Sequence, residues 1–147
     1  MSAKHTVDVT EELAVPAEFL WKTISDFEHI DAWSRLKVLS IEGNGIGCTR
    51  TVEMETGARV TEKLTHCDRG NMIFGYQIME PNPYPMQDYQ STVSIEKTSD
   101  RSCRIVWSGC YGLPEGTDPL RTDNLLRKVY GNGIQLLVSH YARNVGK

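Results

Sequence analysis

Cysteine is scarce and scattered: Cys48, Cys67, Cys103 and Cys110 are the only four, and no two form a Cys-x-x-Cys pair. That pattern fits neither a thiolate zinc framework nor a redox pair, and it reads as reduced thiols in a cytoplasmic protein. The four histidines (His5, His29, His66, His140) are equally dispersed, so no metal-ligand spacing exists and no metal is expected. A Walker loop, a Gly-x-Ser-x-Gly elbow and a dinucleotide fingerprint are all missing, and no cofactor is expected. The net charge is −3 and no basic run occurs, which makes nucleic acid an unsuitable partner. No apolar run approaches the ~20 residues of a membrane span. The opening Met-Ser-Ala-Lys-His-Thr-Val-Asp-Val has no signal-like apolar core, and membrane insertion is not expected.

What is present is the composition of a soluble globular protein, 39% hydrophobic and 24% charged over 147 residues. One domain over residues 1–147 is expected, long enough to bury a good core. Residues 5–13 alternate as a strand. Val15-Pro16-Ala17-Glu18 then opens a short amphipathic helix through Phe27, with a second short helix or turn at Glu28–Ala32. Strands are expected at 36–42, 47–55, 58–67, 71–80, 87–97 and 102–111, separated by turn compositions such as Gly43-Asn44-Gly45-Ile46 and Glu55-Thr56-Gly57. Such short links favour an antiparallel meander. From Asp118, a cap followed by Pro119, a helix runs to about Arg143 with a stripe of Leu120, Leu126, Val129, Ile134, Leu137 and Tyr141. The fold class is therefore α+β: a seven-stranded antiparallel sheet wrapped around a long C-terminal helix, with two short helices after the first strand.

One strand carries an anomaly. In Ala58-Arg-Val-Thr-Glu-Lys-Leu-Thr-His-Cys67, alternation puts Ala58, Val60, Glu62, Leu64 and His66 on one face and Arg59, Thr61, Lys63 and Thr65 on the other. The second face is plainly solvent, which sends Glu62 inward, where a charge needs a partner, a proton or a ligand. Arg50 shares a face with Val52 and Met54 on the neighbouring strand and is the natural partner. The two readings are a structural ion pair and a pair that orients a ligand, with Glu62 as general acid or base and Arg50 stabilising developing charge. Tyr76, Tyr89 and Tyr111 alternate onto the same inner surface, as core aromatics or as hydroxyl donors to a ligand. Gly131 and Gly133 lie in mid-helix, each costing about 1 kcal/mol relative to alanine; they either open ligand space or allow close packing. His66, near a strand end, reads as a surface residue, and Pro81-Asn82-Pro83-Tyr84-Pro85 as a turn or a cavity rim.

Several segments together resemble the START-like, polyketide cyclase/dehydrase-type superfamily. They are Val15-Pro16-Ala17-Glu18 with Trp21, Ser25-Asp26-Phe27 with Trp33, Gly45-x-Gly47-x-x-Arg50, Thr61-Glu62-Lys63-Leu64, Tyr89-x-Ser91 and Pro114-Glu115-Gly116. The resemblance implies the helix-grip fold of the birch-pollen allergen, with an apolar cavity between sheet and long helix. It places Arg50, Val52, Met54, Glu62, Tyr76, Ile78, Tyr89 and Ser91 on the cavity wall, joined by Trp107, Gly109 and Tyr111 from the last strand and Leu125, Val129 and Gly133 from the helix. Alternation adds Val60.

The middle of the chain is also similar to the plant abscisic acid receptors, but the receptor gate is replaced by Glu55-Thr56-Gly57-Ala58-Arg59 and the latch by Pro83-Tyr84-Pro85-Met86. A cavity glutamate of those receptors aligns with Gly109, so hormone sensing is not expected. The expectation is a monomer or homodimer that binds a small hydrophobic or amphipathic molecule (polyketide, aromatic, isoprenoid or lipid-like). The alternative is a cofactor-independent cyclase, aromatase or dehydratase acting through Glu62, Arg50 and Tyr89. A third, weaker expectation is a partner protein that reports ligand state through its cavity-mouth loops.

Overall fold

The computed structural model describes residues 4–145. Strand β1 (Lys4–Leu13) leads through Val15-Pro16 into helix α1 (Ala17–Ile24) and a 3-10 helix (Phe27–Ala32). A meander follows: β2 (Lys37–Glu42), β3 (Thr49–Glu53), β4 (Arg59–Asp68), β5 (Ile73–Ile78), β6 (Gln87–Ser99) and β7 (Ser102–Gly112). Helix α2 (Pro119–Asn144) ends the described chain. The strands form one antiparallel sheet in the order β1-β7-β6-β5-β4-β3-β2, with β1 folded back against β7. The α+β helix-grip architecture expected from the sequence is the one observed.

Local chemistry explains the boundaries. The glycine-rich segment 43–47 is the β2–β3 turn. Gly57, at φ +90, closes the β3–β4 turn with its amide on the Met54 carbonyl, a conformation that side chains resist. Asp118 caps α2 by accepting the Leu120 amide, with Pro119 in the first turn, an arrangement worth about 1 kcal/mol.

Alternation delivers the core. Tyr89, Ser91, Val93 and Ile95 of β6 and Cys103, Ile105, Trp107 and Tyr111 of β7 all face inward and are buried. On α2 the sheet-facing row is Thr122, Leu126, Tyr130, Ile134 and Leu137, which step by four, four, four and three residues along one side of the helix. Leu120 and Val129 lie off that row, 63% and 38% exposed, and depart from the expected stripe; Leu125, expected on the cavity wall, is only half-buried. The β4 face also breaks where expected alternation ran through it. A register shift between Leu64 and His66 turns His66 out to solvent, and Ala58 belongs to the turn. All four thiols are free.

Candidate functional site

Sheet and helix do not close on each other along their whole length. Toward the β2–β5 side they leave a cavity of about 610 Å³, roofed by α2 and closed at one end by the short helices. Ile24 of α1, Ile30 of the 3-10 helix and Trp33 just after it supply that end wall. The sheet contributes Arg50, Glu62, Phe74, Tyr76 and Trp107, and α2 contributes Val129, Gly133 and Leu136. Arg35, Glu55, Asn132, Gln135 and Ser139 also border the space and are solvent-exposed, so they form a polar mouth. Arg35 and Glu55 face each other there at 3.8 Å.

The Arg50–Glu62 pair is built by strand register. The two residues are direct antiparallel partners in β3 and β4, and Arg50 Nε donates to Glu62 Oε1 at 2.8 Å. Arg50 Nη1 donates to the Phe27 carbonyl at 2.9 Å, and the guanidinium lies 3.8 Å over the Phe27 ring. The pair is nearly withdrawn from water, with side-chain exposures of 4% and 12%. Such a pair holds geometry well but is costly to break on one side. Among the described residues, neither Glu62 Oε2 nor Arg50 Nη2 has a hydrogen-bond partner, while both residues line the cavity.

Around this pair the aromatics are polarised. Burial, and then the Glu62 charge, push the Tyr76 phenol up to about 12, so it stays protonated at any physiological pH. The Tyr84 phenol is raised for the same two reasons, and its hydroxyl reaches Met54 Sδ at 3.1 Å. Trp107 Nε1 donates to Ser91 Oγ at 3.1 Å and to Tyr76 Oη at 3.3 Å, and Ser91 in turn donates to the Ser108 carbonyl. Gly133 lies against the Trp107 ring: a methyl placed there would stand 3.1 Å from the indole. Both meanings of this glycine hold at once, since it lines the cavity and permits close packing. Gly131 has open space around it and serves neither purpose. The Trp33 indole N–H is buried with no hydrogen-bond partner.

Of the candidate residues named from sequence, Arg50, Glu62, Met54, Tyr76, Trp107, Val129 and Gly133 border this cavity. Others are placed elsewhere. Tyr89 turns its hydroxyl onto that of Tyr130, a residue from α2 that stacks on Trp107 with ring centroids 5.2 Å apart. Tyr130 thereby fills the space over Gly109, so the missing side chain there accommodates a protein ring rather than a ligand. Ser91 is occupied in positioning Trp107, and Tyr111 stacks on His5 at 5.7 Å. Val52 and Val60 are register partners packed in the core, Ile78 is half-buried against it, and Leu125 points off the helix row.

The sequence did not point to Trp33, Phe74 or Leu136 as cavity residues, whereas Tyr84 lies in the segment read as a turn or cavity rim and does border the space. Leu136 was within reach, because it lies three residues beyond Gly133 on the same helical side. Trp33 carried no such signal, since its position depends on how the 3-10 helix closes the end of the cavity.

A family model described as polyketide cyclase / dehydrase and lipid transport matches residues 4–142. No curated protein matches the chain. Among solved structures, an uncharacterised protein from Bacillus thuringiensis aligns with TM-score 0.81 at 22% identity, covering 94% of this chain and 99% of that one. XoxI from Bacillus cereus aligns with TM-score 0.80 at 22% identity, over 93% and 95% of the two chains. Norcoclaurine synthase from Thalictrum flavum, in complex with dopamine and hydroxybenzaldehyde, aligns with TM-score 0.77 at 18% identity, over 99% and 91%. At these identities the likeness is one of fold.

Proposed function

The chain belongs to the polyketide cyclase / dehydrase and lipid transport family, and from that premise we propose that it binds a small amphipathic, aromatic or polyketide-like molecule inside the sheet–helix cavity. The observation that carries this reading is the cavity itself: about 610 Å³ with an aromatic wall and one buried ion pair set into it. That volume falls in the range of small-molecule sites, which combine an apolar lining with a few convergent polar groups. The norcoclaurine synthase relative holds two small aromatic molecules, which supports an aromatic ligand here on fold grounds alone. In this reading the chain works as one ligand-binding domain over residues 1–147, and Met54, Tyr76, Trp107 and Val129 contact the apolar body of the ligand. No helix among the described residues is long and apolar enough to cross a membrane.

The test is native mass spectrometry of freshly purified protein, with extraction of anything retained, followed by titration with N-phenyl-1-naphthylamine, a neutral dye that brightens in apolar cavities. Saturable one-to-one binding is expected. Failure to bind this dye or any co-purifying molecule would sink the proposal.

A second reading, cofactor-independent acid/base catalysis, is favoured by one specific observation. Glu62 Oε2 is without a hydrogen-bond partner at the cavity wall, and the Tyr76 phenol is held protonated in the same wall. A carboxylate to take a proton and a phenol to donate a hydrogen bond are the two roles a cyclisation or dehydration needs. With a turnover assay on a retained compound, Glu62→Gln is expected to lower kcat by at least roughly a hundredfold while the compound still binds. Full turnover in that variant would remove Glu62 from any mechanism.

A further inference from the structure

The charges in the cavity wall say which polar group a ligand can bring to them. Arg50 gives Nε to Glu62 Oε1 and Nη1 to the Phe27 carbonyl, and one face of its guanidinium is covered by the Phe27 ring. The pair is therefore electrically neutral as a unit and almost closed. Among the described residues, one acceptor atom, Glu62 Oε2, and one donor atom, Arg50 Nη2, make no hydrogen bond, and neither is sealed off as the Trp33 indole N–H is.

Three kinds of ligand head group behave differently against such a unit. A carboxylate can accept from Arg50 Nη2, but it brings a second negative charge beside Glu62 in a place where water screens little. An ammonium group can donate to Glu62 Oε2, but it meets the Arg50 charge in the same way. A hydroxyl donates to the carboxylate oxygen, accepts from the guanidinium, and adds no charge. The remaining surroundings agree with this. Burial first, and then the Glu62 charge, raises the neighbouring Tyr76 and Tyr84 phenols, so an anion brought beside them meets both the loss of water and the carboxylate. The cationic Arg35 at the mouth is itself matched by Glu55.

We propose that this cavity selects ligands presenting a neutral hydroxyl, a phenol or alcohol, to the Arg50–Glu62 pair, and discriminates against the corresponding carboxylic acids. The proposal rests on the reading of the cavity as a ligand site and names the chemical class that site takes. It also narrows the ligand-orienting role that the sequence left open for the pair, since an anionic ligand group resting on Arg50 is disfavoured beside the Glu62 carboxylate.

The experiment displaces N-phenyl-1-naphthylamine with three probes of one framework at neutral pH: 2-naphthol, 2-naphthoate and naphthalene. The naphthol is expected to compete best, by roughly tenfold or more over each of the others, the scale of a hydrogen bond to a charged group. In Glu62→Gln the handicap of naphthoate is expected to shrink, because the opposing charge is gone. Naphthoate competing as well as naphthol in the wild-type protein would overturn the proposal, and so would naphthalene matching naphthol, each with the ligand site itself intact. A protein that does not bind the dye at all would instead overturn the underlying reading of the cavity, and this inference with it.

Discussion

Replacing Arg50 with methionine probes the one place where the fold has accepted a buried charge pair. Methionine keeps much of the aliphatic stem and its packing on Phe27, so the loss is mainly electrostatic. Glu62 loses its 2.8 Å partner at 12% exposure, and the Phe27 carbonyl loses a 2.9 Å donor. Breaking one side of a buried pair costs about 3–5 kcal/mol, because a lone charge remains. In a protein of this size that lowers Tm by roughly 6–20 °C. The double variant Arg50→Met/Glu62→Met removes the lone charge as well. It keeps only the unpaired carbonyl, worth about 1–3 kcal/mol, so it is expected to be more stable than the single variant. Urea unfolding followed by tryptophan emission measures both, with the slope checked for constancy. A single variant that loses under about 1 kcal/mol, or a double variant less stable than the single, would refute the claim that burial isolates this pair.

Further outcomes are expected from the glycines and tyrosines. Gly109→Ala drives a methyl into the Tyr130 hydroxyl, whose ring is pinned on Trp107, so thermal melting should show a loss of about 1–3 kcal/mol. Gly131→Ala meets nothing within 4 Å and should raise stability by about 1 kcal/mol through helix propensity alone; no gain would contradict its open surroundings. Tyr76 is raised from 10.0 to about 12 in the folded protein, so its stabilising contribution is complete below pH 10 and lost as pH climbs toward 12. By linkage that loss is on the order of 3 kcal/mol. Ultraviolet titration of the phenols should accordingly show a late-ionising fraction that appears together with unfolding, and Tyr76→Phe should shrink it.

Much of this was legible in the chain because alternation and helical spacing are local. Glu62 could be sent inward from ten residues of β4, and its partner Arg50 from the face it shares with Val52 and Met54. The long helix announced itself through Asp118-Pro119 and its apolar row. What sequence could not give was which inward residues meet space and which meet each other. Tyr89 and Gly109 do alternate inward, but Tyr130 arrives from α2 and fills that end of the grip, a contact of 41 residues' separation. Trp33 reaches the cavity for a reason equally remote from its own neighbours in the chain. The register shift at Leu64–His66 likewise overrode a clean alternating pattern, and nothing in that pattern marks where a bulge will fall.

The central claim, that a ligand sits between the sheet and α2 against the Arg50–Glu62 pair, is tested most directly by amide and indole NMR shifts during titration with N-phenyl-1-naphthylamine. Saturable changes are expected, concentrated at Arg50, Glu62, Tyr84, Gly133 and the Trp33 indole N–H, with none at the outer-face cluster of Glu12, Glu96 and Arg104. Saturable binding with shifts confined to that outer face, or no shift at the cavity residues at all, would contradict it.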